Sequence, residues 1–346
     1  MMSTVQRVDT EDMWGATLGL PEQVAAAAES AHRLHGLPDK EEVEHVVVLG
    51  MGGSGIAGDV LLATAAPVMP VPVVVCKSYE LPPFVGEATL VFAISCSGNT
   101  EETLEAVQEA AMQGARIVAV TQGGELGRLC SGWGVPVITV PPSIPQPRAA
   151  IGALAIPPLV VLEDVGLYAG ARRWIDLAYE QLVRRRDRLS EPGNEAEELA
   201  RRIGRTFALV HGGGAVGAAA AVRFKCEINE NANAPAFWGV QPEVCHNEVQ
   251  GWGQSGDVTR QLVTLVQLRH DAEHPQVSRR FDLYAEIARE VFADVCVVRA
   301  EGEGELAQLF DLILFGDVVS LALAAQEGLD PGPVPTLNQI KAALSS

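Results

Sequence analysis

Twice in this chain a short run of β-branched residues ends in a glycine-rich turn and opens straight into a stretch of small residues. HVVVLGMGGSG spans 45–55 and continues as a small-residue stretch to about Ala65, and TFALVHGGGAVGAAAAVRFKCEI repeats the layout over 206–228. An apolar run without polar alternation reads as a strand buried on both faces, and such strands belong to parallel sheets covered by helices on each side. The residues around both units agree. VPVVVC (71–76), TLVFAIS (89–95), RIVAVT (116–121) and PVITVP (136–141) read as further strands of the first unit. QLVTLVQL (261–268) and VCVVRA (295–300) read as strands of the second. Helices are predicted at 21–35, 97–114, 278–292 and 305–327, over much of 151–190, and in the tail. In SGNTEETLEAVQEAAMQG (97–114), Ser97 or Asn99 can cap the helix, Glu101 and Glu102 suit its first turn, and Gly114 ends it.

The repeated layout makes this an α/β chain of two tandem domains, each a parallel sheet flanked by helices in a three-layer, flavodoxin-like arrangement. The expected divisions are an N-terminal helical segment at 1–37, a first domain at 38–165, a helical linker at 166–195, a second domain at 196–330 and a C-terminal tail helix at 331–346. Two domains suit 346 residues, at about 100–200 residues each.

Charge and motif spacing remove several function classes. The net charge of −19 repels a nucleic-acid backbone, so a nucleic-acid partner is not expected. No apolar run is read as reaching the roughly 18 residues of a membrane span, and the N-terminus lacks a basic patch followed by an apolar stretch. A cytoplasmic protein without membrane partners is expected. The six cysteines form no C-x-x-C pair and read mostly as small buried hydrophobes. His270 and His274 are four apart, but Pro275 follows and no carboxylate cluster joins them, so neither a metal nor another cofactor is expected. Arg184, Arg185 and Arg186 read as a solvated helix end.

With a global field opposing anions, an anionic ligand needs a local site made of backbone amides and hydroxyls. Gly50-x-Gly52-x-x-Gly55 and Gly212-x-Gly214-x-x-Gly217 both match the dinucleotide spacing. The acid expected about 20 residues on is missing after the first loop, where the next strand ends Val75-Cys76-Lys77. The second loop reads as a plain tight turn. The first has more: Ser54 sits in it, and Ser95-Cys96-Ser97-Gly98-Asn99-Thr100 ends another strand of the same unit. Ligands of open parallel sheets sit beyond the carboxyl ends of strands, so hydroxyls from Ser54, Ser95, Ser97 and Thr100 can ring one phosphate without a loop lysine. That suits a monophosphate better than a nucleotide.

GMGGSGIAGD (50–59), SCSGNTEETLEA (95–106), PRAAIG (147–152), NENANAPAF (229–237) and HNEVQGW (246–252) resemble the bifunctional phosphoglucose/phosphomannose isomerases. That family is built from two sugar isomerase (SIS) domains. The resemblance runs from about residue 45 to the C-terminus, and its NEN and HNE segments are the family-specific ones. It implies an aldose–ketose isomerase that interconverts glucose 6-phosphate and fructose 6-phosphate, and also mannose 6-phosphate, through a cis-enediol. By resemblance, Gly53, Ser54, Ser95, Ser97 and Thr100 would bind the phosphate. Glu230 would be the general base and Arg148 would stabilise the enediolate. His246 would help open the sugar ring from the neighbouring subunit of a homodimer, and Lys341 would assist at the ring oxygen. The chemistry is coherent: moving a proton next to a carbonyl needs a carboxylate that can take and return it, and a fixed cation for the negative oxygen. His211 and the tryptophans Trp238 and Trp252 read as packing residues. Cys96 stands where the family commonly has an aromatic residue. Two other readings compete: a non-catalytic SIS phosphosugar-binding or regulatory protein, and, more weakly, an NAD(P)-dependent oxidoreductase.

Overall fold

The structure is a computed structural model that describes residues 8–32 and 34–344. Residues 1–7 of the N-terminal segment, Arg33 within the helix expected over 21–35, and the last two residues of the tail lie outside it.

The chain opens with two helices, α1 (Met13–Leu18) and α2 (Leu20–Ser30). A first unit follows: β1 (His45–Leu49), α3 (Gly52–Thr64), β2 (Val73–Cys76), β3 (Thr89–Ile94), α4 (Glu101–Met112), β4 (Arg116–Thr121), α5 (Gly124–Trp133) and β5 (Val137–Thr139). Three helices, α6 (Ile151–Val165), α7 (Ala171–Leu189) and α8 (Glu195–Ile203), lead to the second. That unit comprises β6 (Phe207–Gly213), α9 (Gly214–Asn231), β7 (Ala236–Gln241), α10 (Glu248–Gly251), α11 (Gly256–Leu262), β8 (Val263–Arg269), α12 (Pro275–Val291), β9 (Asp294–Arg299) and α13 (Glu305–Gln326). The tail forms α14 (Pro335–Leu344).

All strand pairs in both sheets are parallel. The first sheet has the order β2-β1-β3-β4-β5 and the second β7-β6-β8-β9. The order reverses between β1 and β3, and again between β6 and β8. In a doubly wound sheet a crevice opens at that switch, beyond the carboxyl ends of the strands. The loops after β1 and β3 are the two polar turns carrying Ser54 and Ser95–Thr100.

Small residues let α3 lie close to its sheet. A Cβ on Gly58 would stand 2.7 Å from a Val75 methyl and 3.1 Å from one of Val48. Helix α13 fills the centre of the main core, with Leu306 to Ala324 all buried. Its sequence, ELAQLFDLILFGDVVSLALAAQ, is long and apolar enough to cross a membrane, which corrects the expectation that no run reaches that length. Here it is a core helix, its apolar stretch buried inside the protein. Its two buried acids are matched by arginines: Asp311 by Arg185 at 2.5 Å and Asp317 by Arg223 at 2.6 Å.

Several local expectations change. The helix of 97–114 starts only at Glu101, with Thr100 at the cap position and no side-chain cap bond. Ser97 and Asn99 are used elsewhere, because the chain must first turn back through Gly98. β7 is a strand that composition did not announce, lying in the segment 236–241. The arginine run is not a uniformly solvated end, since Arg185 is buried against Asp311 and Glu195. It points from α7 into α13, where Asp311 would otherwise be an unpaired buried charge. Of the cysteines, Cys96, Cys130 and Cys296 are buried, while Cys76, Cys226 and Cys245 are only half-buried.

Candidate active site

The two turns of the first sheet meet directly. Ser54, in the first turn of α3, is buried and its Oγ accepts a hydrogen bond of 3.2 Å from the Cys96 N–H. Ser95 Oγ lies 2.9 Å from Thr100 Oγ1 and accepts from the Gly98 N–H at 3.1 Å. Ser97 is exposed, and its hydroxyl accepts from the Asn99 N–H at 3.2 Å. Thr100 turns its hydroxyl to Ser95 instead of capping α4, so the helix N–H groups have no side-chain acceptor from the cap residue. Free N–H groups and the helix dipole favour an anion at that end. Burial pushes the Cys96 thiol up to about 11, so it stays protonated in this loop.

A third loop braces the second. Asn99 Oδ1 accepts from the Glu125 N–H at 3.0 Å, and Thr121 Oγ1 donates to the Gly123 carbonyl at 3.0 Å. Gly98 has φ +69°, and a Cβ there would overlap the Gly123 carbonyl and approach Thr121 Oγ1 to 2.8 Å. Only the strand pairing of β3 with β4 brings 121–125 here.

Gly53 links this region to the next. A Cβ on it would meet the Pro147 carbonyl at 3.1 Å and Arg148 Cα at 3.4 Å. Arg148, in a short 3-10 turn at Pro147–Ala150, is 2% exposed. Its Nε donates to Asn231 Oδ1 at 2.6 Å, and its Nη2 donates to the carbonyls of Pro331 and Gly332, the latter at 2.8 Å. Its Nη1 stands 3.6 Å from Glu230 Oε2. Glu230 closes α9 and is 29% exposed, so its carboxylate faces a cleft and is not sealed in the core. That cleft, about 540 Å³, is lined by Asn229, Glu230, Pro235 and the start of α14, including Thr336. A larger cleft, about 880 Å³, lies between the outer face of α4 and Leu344 at the far end of α14. The tail helix therefore reaches from beside Glu230 to α4. Lys341 is exposed on it.

Behind Glu230 lies a buried charged cluster that motif reading did not find. Arg223 pairs with Asp317 at 2.6 Å and with Glu227 at 3.1 Å, and also donates to the Arg148 carbonyl at 2.8 Å. Burial raises the Glu227 carboxyl to about 8; Arg223 opposes the rise, and Asp317 and Glu230 add to it. The signal was Asn231 in the NEN motif and the spacing of 223, 227 and 231 along one face of α9.

His246 is not brought to Glu230 within the chain. It ends a 3-10 turn after β7 and is exposed. Glu230 precedes β7 and His246 follows it, and a strand of this length spans about 17 Å. What fixes this segment is Glu248. It accepts from Tyr284 at 2.7 Å and from Trp252 at 3.3 Å, and lies 2.9 Å from His211 Nε2. Burial works to raise the Glu248 carboxyl, but the bonds from His211, Tyr284 and Trp252 outweigh it and hold it low.

The second sheet builds no matching polar crevice among the described residues. Val216 occupies the position of Ser54, and the Gly212 turn packs directly on Gly217. At the end of β8, Arg269 is closed by Glu273 at 3.0 Å. His270 lies 2.8 Å from the Gly213 carbonyl, and His274 Nδ1 accepts from the Gln276 N–H at the start of α12.

Residues 41–131 match the family model of the SIS domain, and residues 193–344 match that of the bacterial phospho-glucose isomerase C-terminal SIS domain. A bifunctional phosphoglucose/phosphomannose isomerase of Caldicellulosiruptor bescii is 34% identical over 337 residues, covering 96% of this chain and 99% of that protein. Another protein of that name, from Aquifex aeolicus, is 33% identical, covering 86% of this chain and 90% of its own. Among solved structures, a hypothetical protein from Thermus thermophilus superposes with a TM-score of 0.72 at 16% identity, covering 96% of this chain and 89% of that one. At that identity it speaks for the fold alone. With two SIS units in tandem, and with relatives aligned almost end to end, this chain belongs to the bifunctional phosphoglucose/phosphomannose isomerase family.

Proposed function

We propose that this protein is an aldose–ketose isomerase that interconverts glucose 6-phosphate and fructose 6-phosphate, and also mannose 6-phosphate. The observation that carries the reading is the contiguity of three features: the hydroxyl-lined turns, the Gly53–Arg148 contact, and the Arg148–Glu230 approach at 3.6 Å. The phosphate would rest on Ser54, Ser95, Ser97 and Thr100 with the Gly53 backbone. The sugar carbons would then extend toward Glu230. There the carboxylate takes the proton from C2 of the open aldose and returns it to C1, while the proton on O2 moves to O1. One carboxylate suffices because both positions lie on one face of a cis-enediol. The Arg148 guanidinium, always charged, would stabilise the negative oxygen as it forms.

His246 and Lys341 would act on ring opening, His246 from a second copy of the chain. The separation of His246 from Glu230 within one chain favours that arrangement, as do the exposed Phe237 and Trp238 on β7, an edge strand of its sheet. A cytoplasmic homodimer is the assembly this reading requires.

Purified protein given fructose 6-phosphate in D₂O, without added metal or nucleotide, should produce aldose 6-phosphates carrying deuterium at C2, read by NMR. Glu230→Gln should lower kcat by about 100-fold or more, the usual weight of a general base, with phosphosugar affinity retained. Full turnover by that variant, or none by the wild type, would refute the reading.

A further inference from the structure

The Arg148 guanidinium is held on most of its perimeter. Nη2 is spent on two backbone carbonyls and Nε on Asn231, whereas Nη1 has, among the described residues, only Gln146 Oε1 at 3.4 Å and Glu230 at 3.6 Å. The loosely held edge is the one that faces Glu230, and Glu230 lines the cleft. What decides this orientation is which end of the Asn231 amide meets Nε, since an oxygen accepts and an NH₂ would repel it.

The amide has one possible orientation here. Asn231 Nδ2 donates to Glu227 Oε2 at 3.0 Å and to Ser320 Oγ at 2.9 Å. Ser320 gives its single hydroxyl proton to the Asp317 carbonyl at 2.6 Å, so toward Asn231 it can only accept. Turning the amide over would set its oxygen against that acceptor and its NH₂ against Arg148. Behind it, Arg223 braces Glu227, and the same arginine holds the Arg148 carbonyl. Asn231, Glu227 and Arg223 recur every fourth residue on α9, so one helix face grips both the backbone and the head of Arg148.

We infer that Asn231 is a positioning residue for the isomerisation, aiming the loosely held edge of Arg148 at the reacting carbons, with Glu227 and Ser320 setting its amide. The inference rests on the roles of Glu230 and Arg148 given above. It concerns kcat and not binding, because the phosphate turns make none of these contacts.

The test compares Asn231→Ala, Asn231→Asp and Glu230→Gln for kcat and KM with fructose 6-phosphate, with circular dichroism to verify folding. Loss of one hydrogen bond to a charged group predicts a fall in kcat of about 10–100-fold for Asn231→Ala, with KM moving less than about threefold. Asn231→Asp keeps an acceptor for Nε, and a protonated Glu227 can donate to the new carboxylate, so it should regain at least about tenfold of that loss. A merely structural residue would give the opposite order, since a buried carboxylate next to Glu227 is the harsher change. If Asn231→Ala does not fold, Ser320→Ala is read for the same split between kcat and KM. Unchanged kcat in the alanine variants, or an aspartate variant no better than alanine, overturns the inference. If instead Glu230→Gln keeps its activity, the underlying reading fails regardless of Asn231.

Discussion

Gly98→Ala isolates the brace beneath the Ser95–Thr100 turn, the proposed phosphate site. The residue has φ +69°, where a Cβ costs about 1–2 kcal/mol on backbone grounds alone. Its Cβ would also overlap the Gly123 carbonyl and stand 2.8 Å from Thr121 Oγ1, so the 121–125 loop has to retreat. Retreat breaks the Thr121–Gly123 and Asn99–Glu125 hydrogen bonds, each worth about 1 kcal/mol net. The sum is about 3–4 kcal/mol against the bound-competent turn, and about 1.4 kcal/mol is a tenfold change in an equilibrium constant. KM for fructose 6-phosphate should therefore rise by about 100-fold to several hundredfold, with competitive inhibition by inorganic phosphate weakened in parallel. Gly134→Ala is the control: φ +72°, nothing within 4 Å of its Cβ, and placed at the far end of α5. It should lose stability by about the backbone cost and leave KM alone. Equal KM in the two variants would show that the brace has no part in holding the turn.

Two stability experiments probe the buried charges. Arg185→Met strands Asp311 without its partner and should cost about 3–5 kcal/mol, measured by urea unfolding, whereas Arg185→Met with Asp311→Leu should recover most of it. Glu227→Gln removes a carboxyl that burial raises to about 8 from an ordinary value near 4.5. A raised carboxyl favours the protonated folded state, so wild-type stability relative to the variant should fall as pH rises from about 4.5 to about 8, and level off above. A difference that is flat across that window would mean Glu227 is ionised in the fold.

The sheet units, the two polar turns and the order of most elements were legible in the residues, because buried parallel strands and glycine turns are local patterns. So was the candidacy of Ser54, Ser95 and Thr100, since hydroxyls after strand ends declare themselves. The cap of α4 was misread for an equally physical reason. Ser97 and Asn99 have capping chemistry, but the bend at Gly98 turns both toward backbone groups of other residues, and only the β3–β4 pairing supplies the Asn99 partner. β7 escaped because Pro235 precedes it and its run contains Gly239 and two exposed aromatics, so it lacks the apolar continuity of a central strand. The membrane-like composition of α13 lost its meaning for a similar reason, because burial within a protein core and burial in lipid select the same side chains.

Sequence alone determined that this chain folds as two parallel sheets, with hydroxyl-lined turns at the strand ends of the first. Tertiary structure alone decided what Arg148 faces. Its partners lie 83 residues away at Asn231 and 184 residues away at Gly332, beyond any periodicity that a local pattern can carry. A buried guanidinium must satisfy its donors wherever the packed chain offers acceptors, and the edge left over is the edge available for chemistry.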